Sequence, residues 1–252
     1  MNTSPQDGSS RPTVVLVHGA FAESASWDGV IEILNDAGYK TIAAANPLRS
    51  LSGDAESVAG VLDSVEGPVV LVGHSYGGSV ISNAALGREN VRAMVFVAAF
   101  APEEGECIGE LSGLYPGSTL GDTLKTVPLP DGTTDLYIRQ EEYHGQFAAD
   151  VRAERAASMA ATQRPLRDVA LNEGSGSPVW RDVPSWFVIP GLDKNVPPEA
   201  QRFMTGRAGA REILEIEGAS HAVGVSHPDE VADVILAATA HVERLAQNQP
   251  AR

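Results

Sequence analysis

The pentapeptide Gly73-His74-Ser75-Tyr76-Gly77 places a serine hydroxyl between two glycines, directly after a run of valines. Pro68–Val72 reads as a short strand that is apolar on both faces, and Tyr76–Leu86 as a helix rich in small residues. A serine at such a strand-to-helix turn sits on a sharp bend, with its hydroxyl projecting above the sheet edge. Glycines are required beside it because a Cβ there would collide with the strand and helix; Gly78 extends the pattern. The backbone N–H of Tyr76 opens the helix, where an oxyanion can be held. The chemistry such a turn supports is nucleophilic attack by Ser75.

A serine hydroxyl is a poor nucleophile at pH 7, so it needs a base in reach and a third group to orient that base. His221, in Gly218-Ala219-Ser220-His221-Ala222, follows the last strand and is the expected base. His227 precedes Pro228 and is better placed to open a helix. His18 lies at a strand end as a structural residue, and His144 and His241 are expected to face solvent. For the acid, Asp193 lies in Gly191-Leu192-Asp193-Lys194-Asn195, at the C-terminal end of a strand, where catalytic groups of open α/β sheets collect. It also completes the order Ser, Asp, His. A plain ion pair with Lys194 is the competing reading of Asp193. Asp182 precedes the strand, and Glu215 and Glu217 lie on or just after one. A second oxyanion donor is expected in His18-Gly19-Ala20-Phe21, the N–H of Ala20 first and that of Phe21 next. Each such donor stabilises a transition state by about 3 kcal/mol.

These residues need a scaffold, and the chain supplies alternating elements. Strands are predicted at Thr13–Val17, Tyr39–Ala45, Pro68–Val72, Val91–Ala99, Pro184–Ile189 and Arg211–Ile216. Between them come helices from Ser24 or Ser26 to Asp36, Ser52–Val65, Tyr76–Leu86 and Pro198–Gly206, with a last one from Pro228. Buried strands alternating with helices imply an α/β fold: a mostly parallel sheet of about six strands, covered on both faces. The rhythm breaks from about 101 to 182, a segment rich in proline and glycine with one clear helix, about Asp150–Gln163. This segment reads as a lid carried by the sheet. Tyr115, Tyr137, Tyr143 and Phe147 either line a substrate pocket or pack the lid onto the core. Phe21, His74, Phe100, Tyr115 and Tyr143 are the candidate substrate contacts.

A chain of 252 residues with 43% hydrophobic and 20% charged residues can bury a full core. Residues 13–252 read as one domain, and 1–12 as a disordered polar tail rather than a signal peptide. The net charge of −15 disfavours nucleic acid and anionic membranes as partners. No apolar run approaches the ~20 residues of a membrane span. One cysteine, Cys107, fits a reducing, cytoplasmic setting. No metal-ligand spacing and no phosphate-binding glycine loop occur, so no cofactor is expected. The expected partner is a small-molecule substrate, with the protein a monomer or homodimer.

The residues quoted above, together with Trp27, resemble the α/β-hydrolases. The similarity covers the chain after its tail and is greatest to the compact branch of plant methyl-ester esterases, hydroxynitrile lyases and small bacterial esterases. Val-Leu-Val-His18-Gly-Ala-Phe, Gly-His-Ser75-Tyr-Gly-Gly, Asp193 and Gly-Ala-Ser-His221 carry it. The resemblance implies cofactor-free ester cleavage through an acyl-serine, and the substrate is expected to be small to medium and mainly apolar. Lyases of this branch carry a lysine after the catalytic histidine and a threonine in the His-Gly loop, where this chain has Ala222 and Gly19. The same triad could act on an amide, lactone, carbamate or C–C bond, and a non-catalytic small-molecule receptor is the alternative of another class.

Overall fold

Strand residues of this chain are largely β-branched or otherwise apolar, and they alternate between two apolar layers. The computed structural model describes residues 11–248. In chain order the first elements are β1 (Thr13–Val17), α1 (Asp28–Asp36), β2 (Thr41–Ala44), α2 (Leu51–Asp63), β3 (Val69–His74), α3 (Tyr76–Ala84) and β4 (Val91–Val97). An insertion follows, with α4 (Ile108–Gly113), α5 (Leu120–Thr123), β5 (Leu124–Pro128), β6 (Thr134–Ile138), α6 (Gln140–Phe147), α7 (Ala153–Thr162), β7 (Leu166–Arg167) and α8 (Asp168–Asn172). The chain then returns to β8 (Ser185–Pro190), α9 (Pro198–Ala208), β9 (Glu212–Ile216), α10 (Val223–Ser226) and α11 (Pro228–Gln247).

The main sheet has the order β2-β1-β3-β4-β8-β9, and every pair in it is parallel. Strand alternation sorts the side chains. Val14, Leu16, Val70, Val72, Val95 and Trp186 pack with Trp27 and with Val231 and Ile235 of α11. Val15, Val17, Leu71, Met94, Phe96 and Phe187 face the other way, toward Val58, Ile81 and Met204 of α2, α3 and α9. Helices therefore cover both faces, which is why the central strands β1 and β3 read as apolar runs. This is the expected α/β-hydrolase architecture, with all six strands parallel.

Boundaries shift at several elements for local reasons. The helix expected from Ser24 or Ser26 begins as a 3-10 turn over Ser24–Trp27, and neither serine caps α1; Ser26 Oγ donates to the Glu23 carbonyl instead. Pro228 opens α11 as expected. Arg11 donates to the Ala37 carbonyl (3.0 Å), so this part of the expected tail lies against the folded body. Residues 1–10 of that tail lie outside the described residues, as do 249–252.

The insertion holds more regular structure than its sequence indicates. Besides the expected helix, which starts at Ala153 rather than Asp150, it contains a three-stranded antiparallel sheet, β5-β6-β7. Pro128 and Pro130 conceal the hairpin: the first ends β5 and the second lies in a turn closed by Leu129 N–H to Thr133 O (2.8 Å). The insertion buries Leu136, Ile138, Tyr143, Phe147 and Met159 in the same cluster as α2 and α3.

The turn around Ser75 has no spare room. A Cβ on Gly77 would lie 2.5 Å from the Val17 carbonyl oxygen, and one on Gly78 would lie 2.2 Å from that of Phe100. A Cβ on Gly60, on the exposed face of α2, would meet no atom within 4 Å. We therefore expect Gly78→Ala to destabilise the protein by about 3 kcal/mol or more. Gly60→Ala should instead gain about 1 kcal/mol of helix propensity. Urea unfolding of both variants checks the pair, and equal midpoints would contradict it.

Candidate active site

The end of β3 throws Ser75 into a backbone conformation that side chains rarely adopt, with φ 54° and ψ −124°. Three main-chain bonds hold it there. Ser75 N–H donates to Val97 O (3.1 Å), and Ser75 O accepts from Gly78 N–H (2.9 Å) and Phe100 N–H (3.2 Å). Phe100, a candidate substrate contact, thus supports the turn through its backbone, and its side chain is buried. Tyr76 is the first residue of α3, and its ring hydroxyl donates to Asp54 Oδ2 (2.8 Å). Burial raises the Asp54 carboxyl above the usual range, against the hydrogen bonds from Arg49 N–H and Tyr76 that lower it.

Asp193 and His221 are brought together by the loops after β8 and β9. His221 Nδ1 lies 2.7 Å from Asp193 Oδ2, and the two residues are 1% and 3% exposed. Asp193 is fully engaged. Oδ1 accepts the N–H groups of Asn195 (2.8 Å) and Val196 (3.0 Å), and Oδ2 also accepts Gln201 Nε2–H (2.9 Å). A carboxylate so placed accepts the Nδ1–H and fixes the imidazole proton there, leaving Nε2 as the nitrogen free to accept one. Lys194 does not take this carboxylate; its Nζ donates to Gly145 O (3.0 Å). His74 links the two halves of the site, since its Nε2 donates to the His221 carbonyl (3.0 Å). Burial first, then the neighbouring His221, holds His74 well below the usual imidazole range, so it is neutral. No hydrogen bond joins Ser75 Oγ to His221 among the described residues. In resting sites this contact commonly tightens only when substrate binds.

The loop after β1 is fixed peptide by peptide. His18 Nδ1–H donates to Gly19 O (2.9 Å), and its Nε2 accepts Asn46 N–H (3.1 Å). Gly19 O belongs to the peptide whose other edge is the Ala20 N–H. Phe21 N–H donates to Arg164 O (3.0 Å), so this amide is taken and, of the two candidate donors, the Ala20 N–H is the one left. Phe21 has φ 60°, and its carbonyl accepts the Tyr143 hydroxyl (2.7 Å). Gly19 leaves no space for a side chain, as a Cβ would fall 2.6 Å from Ser75 Cβ.

Of the remaining candidates, Tyr143 is buried with its hydroxyl committed to Phe21, and Tyr115 is half-buried against Phe203, itself 41% exposed. A small apolar cavity lies beside His74, lined by Ala22, Trp27, Phe147, Met159 and Ala222. His144 and His241 are half-buried rather than solvent-facing: His144 Nε2 donates to Val151 O (2.9 Å), and the His241 ring tilts onto Trp186.

Sequence reasoning missed the part played by α6 and the turn after it. Gln146 Nε2 donates to Lys194 O (2.9 Å) and to Asn195 Oδ1 (3.1 Å), bracing the Asp193 loop. Phe147 O accepts Ala222 N–H (2.9 Å), while Asp150 accepts both the hydroxyl and the N–H of Ser220. The two neighbours of His221 are thus tied to the insertion. The spacing Tyr143, Gln146, Phe147, Asp150 was the available signal: one helical face, with a glutamine between aromatics.

A strained serine turn after β3, an acid after β8 and a histidine after β9 on a parallel sheet define an α/β-hydrolase. The sequence description of the alpha/beta hydrolase family matches residues 14–234, and the chain belongs to that family. It is 28% identical to Esterase PIR7B of Oryza sativa subsp. japonica, over 90% of this chain and 96% of that protein. It is 27% identical to Salicylic acid-binding protein 2 of Nicotiana tabacum, over 88% and 95% respectively. Among solved structures, polyneuridine aldehyde esterase superimposes with a TM-score of 0.79 at 21% identity, over 90% of this chain and 99% of that one.

His18 generates a pH prediction. Burial lowers its pKa from 6.5 to about 4, so it stays neutral in the folded protein while the unfolded chain protonates it. Its stabilising contribution is complete above about pH 6.5 and is lost as pH falls toward 4. Between pH 7 and pH 5 this residue should remove about 2 kcal/mol, with His74 acting in the same direction. Urea midpoints at the two pH values, compared with those of His18→Asn, measure the effect; a variant as pH-sensitive as the parent would contradict it.

Proposed function

We propose that this α/β-hydrolase cleaves carboxylic esters through an acyl-serine. The observation that carries the reading is the buried Asp193–His221 pair, in a site where a strained Ser75 has its main chain locked and its hydroxyl uncommitted. Ser75 Oγ attacks the ester carbonyl carbon while His221 Nε2 takes the hydroxyl proton. The negative charge that develops on the carbonyl oxygen is received by the N–H groups of Ala20 and Tyr76. His221 then gives its proton to the leaving alcohol as the C–O bond breaks. Water, deprotonated by His221, attacks the acyl-enzyme, and the acid leaves as Ser75 recovers its proton. Asp193 keeps its charge throughout and holds the imidazole in one tautomer.

The apolar lining beside His74 and the net charge of −15 support a neutral, mainly apolar substrate of small to medium size. The similarity to plant esterases points to the same bond. Replacing the lyase lysine by Ala222 removes the cation that a departing cyanide would need, which favours hydrolysis over that cleavage.

Ser75→Ala should lower kcat on a p-nitrophenyl ester by on the order of 10⁴-fold or more, and Asp193→Asn by about 10⁴-fold. A fluorophosphonate should label the parent and not Ser75→Ala. Ester turnover retained by the alanine variant would exclude the acyl-serine route. A panel of esters, lactones, amides and carbamates reads the bond preference, with esters expected to give the highest kcat/KM.

A further inference from the structure

The loop carrying the Ala20 N–H contains a conformation that costs energy. Phe21 has φ 60°, and a non-glycine residue in the left-handed region is destabilised by roughly 1–2 kcal/mol. Something must hold it, and both peptides flanking Phe21 are held by the lid. The amide before it donates to Arg164 O, between α7 and β7. The carbonyl after it accepts the Tyr143 hydroxyl at 2.7 Å, from the middle of α6. Tyr143 is 0% exposed and stacks on Phe147 (ring centroids 5.0 Å apart), so its ring has no freedom to swing away. Phe147 in turn holds the Ala222 amide beside His221. The Tyr143 hydroxyl is therefore not available as a substrate contact. It fixes the direction of a peptide plane close along the chain to the oxyanion donor.

We propose that Tyr143 is a positioning residue for the oxyanion loop, holding Phe21 in its left-handed conformation so that the Ala20 N–H points to where the carbonyl oxygen becomes charged. The role rests on the ester-cleaving reading of the site. Removing the hydroxyl frees the Phe21 carbonyl, so Phe21 relaxes toward negative φ and draws the Ala20 amide off line against the two bonds that remain, from the His18 ring to Gly19 O and from Phe21 N–H to Arg164 O. The loss falls on the transition state and spares the ground state, so kcat drops while KM holds.

The test is Tyr143→Phe, which removes one oxygen and keeps the ring. Misdirecting one donor should lower kcat roughly tenfold, with KM within about twofold. Inhibition by a trifluoromethyl ketone gives an independent readout. Ser75 Oγ adds to its carbonyl carbon, the serine proton passes to His221, and the hemiketal oxyanion occupies the hole. Its Ki should rise in step with the fall in kcat. Thr239→Val in α11 is the control, because Thr239 is buried and its hydroxyl donates to Leu236 O at 2.8 Å. It should lose comparable thermal stability at unchanged kcat. In a Phe21→Gly background, where positive φ carries no penalty, Tyr143→Phe should cost kcat at most about threefold. Parental kcat and Ki in Tyr143→Phe, a rise in KM alone, or the same loss in both backgrounds would each overturn the proposal. Ester turnover surviving in Ser75→Ala would instead remove the reading on which it rests.

Discussion

The structure depends on strain collected along one edge of the sheet. Among the described residues, four non-glycine residues have clearly positive φ: Phe21, Leu48, Ser75 and Ala98. Each lies just beyond the C-terminal end of one of the first four strands, β1 to β4. Such conformations persist only where the surroundings over-determine them, and they mark places where geometry matters more than local comfort. The core opposite this edge is correspondingly regular, with strands buried on both faces and helices laid over them. A rigid base of that kind can keep four strained turns in register.

Ser75 is the most constrained of the four. Its amide and carbonyl are bound to β4, to the chain just beyond it and to α3, and the glycines around it mark where other backbones press in. The hydroxyl is left as the free part of the residue. The Asp193–His221 pair shows the same division. Every oxygen of Asp193 is occupied and one imidazole nitrogen of His221 is fixed, so the other nitrogen is the one this arrangement leaves open. Neutral His18 and His74 belong to this scheme as well, each bonding through its ring to backbone groups that aim a neighbour.

What the sequence disclosed follows from which atoms take part. Fully buried parallel strands leave valine runs, so β1, β3 and β4 were legible to within two residues. Ser75, Asp193 and His221 could be picked out as candidates because side-chain type is what the proposed chemistry asks of those positions, and the order of the loops restricts the choice. The ties from the insertion were not legible, because most of their partners are main-chain atoms. Tyr143 meets the carbonyl of Phe21, Gln146 that of Lys194, and Phe147 offers its own carbonyl to Ala222. A carbonyl carries no residue type, so nothing at positions 21, 194 or 222 announces the contact. The β5–β6 hairpin was hidden for another reason. Its first strand is a mostly exposed edge, with prolines at the bend and little apolar alternation to reveal it.

A single helix of eight residues, α6, with the turn that follows it, touches the loops that carry Phe21, Asp193 and His221 at once. The same segment carries side chains that shape the space above the sheet. The lining of the cavity and the bracing of the loops thus share one piece of inherited sequence. Drift that enlarges or reshapes the cavity also perturbs the alignment of the reacting groups, unless each replacement restores the bond it displaces. Divergence among such enzymes would then proceed by linked changes within this helix. An insertion transplanted from a distant relative would arrive with its own aim, built for another set of loops.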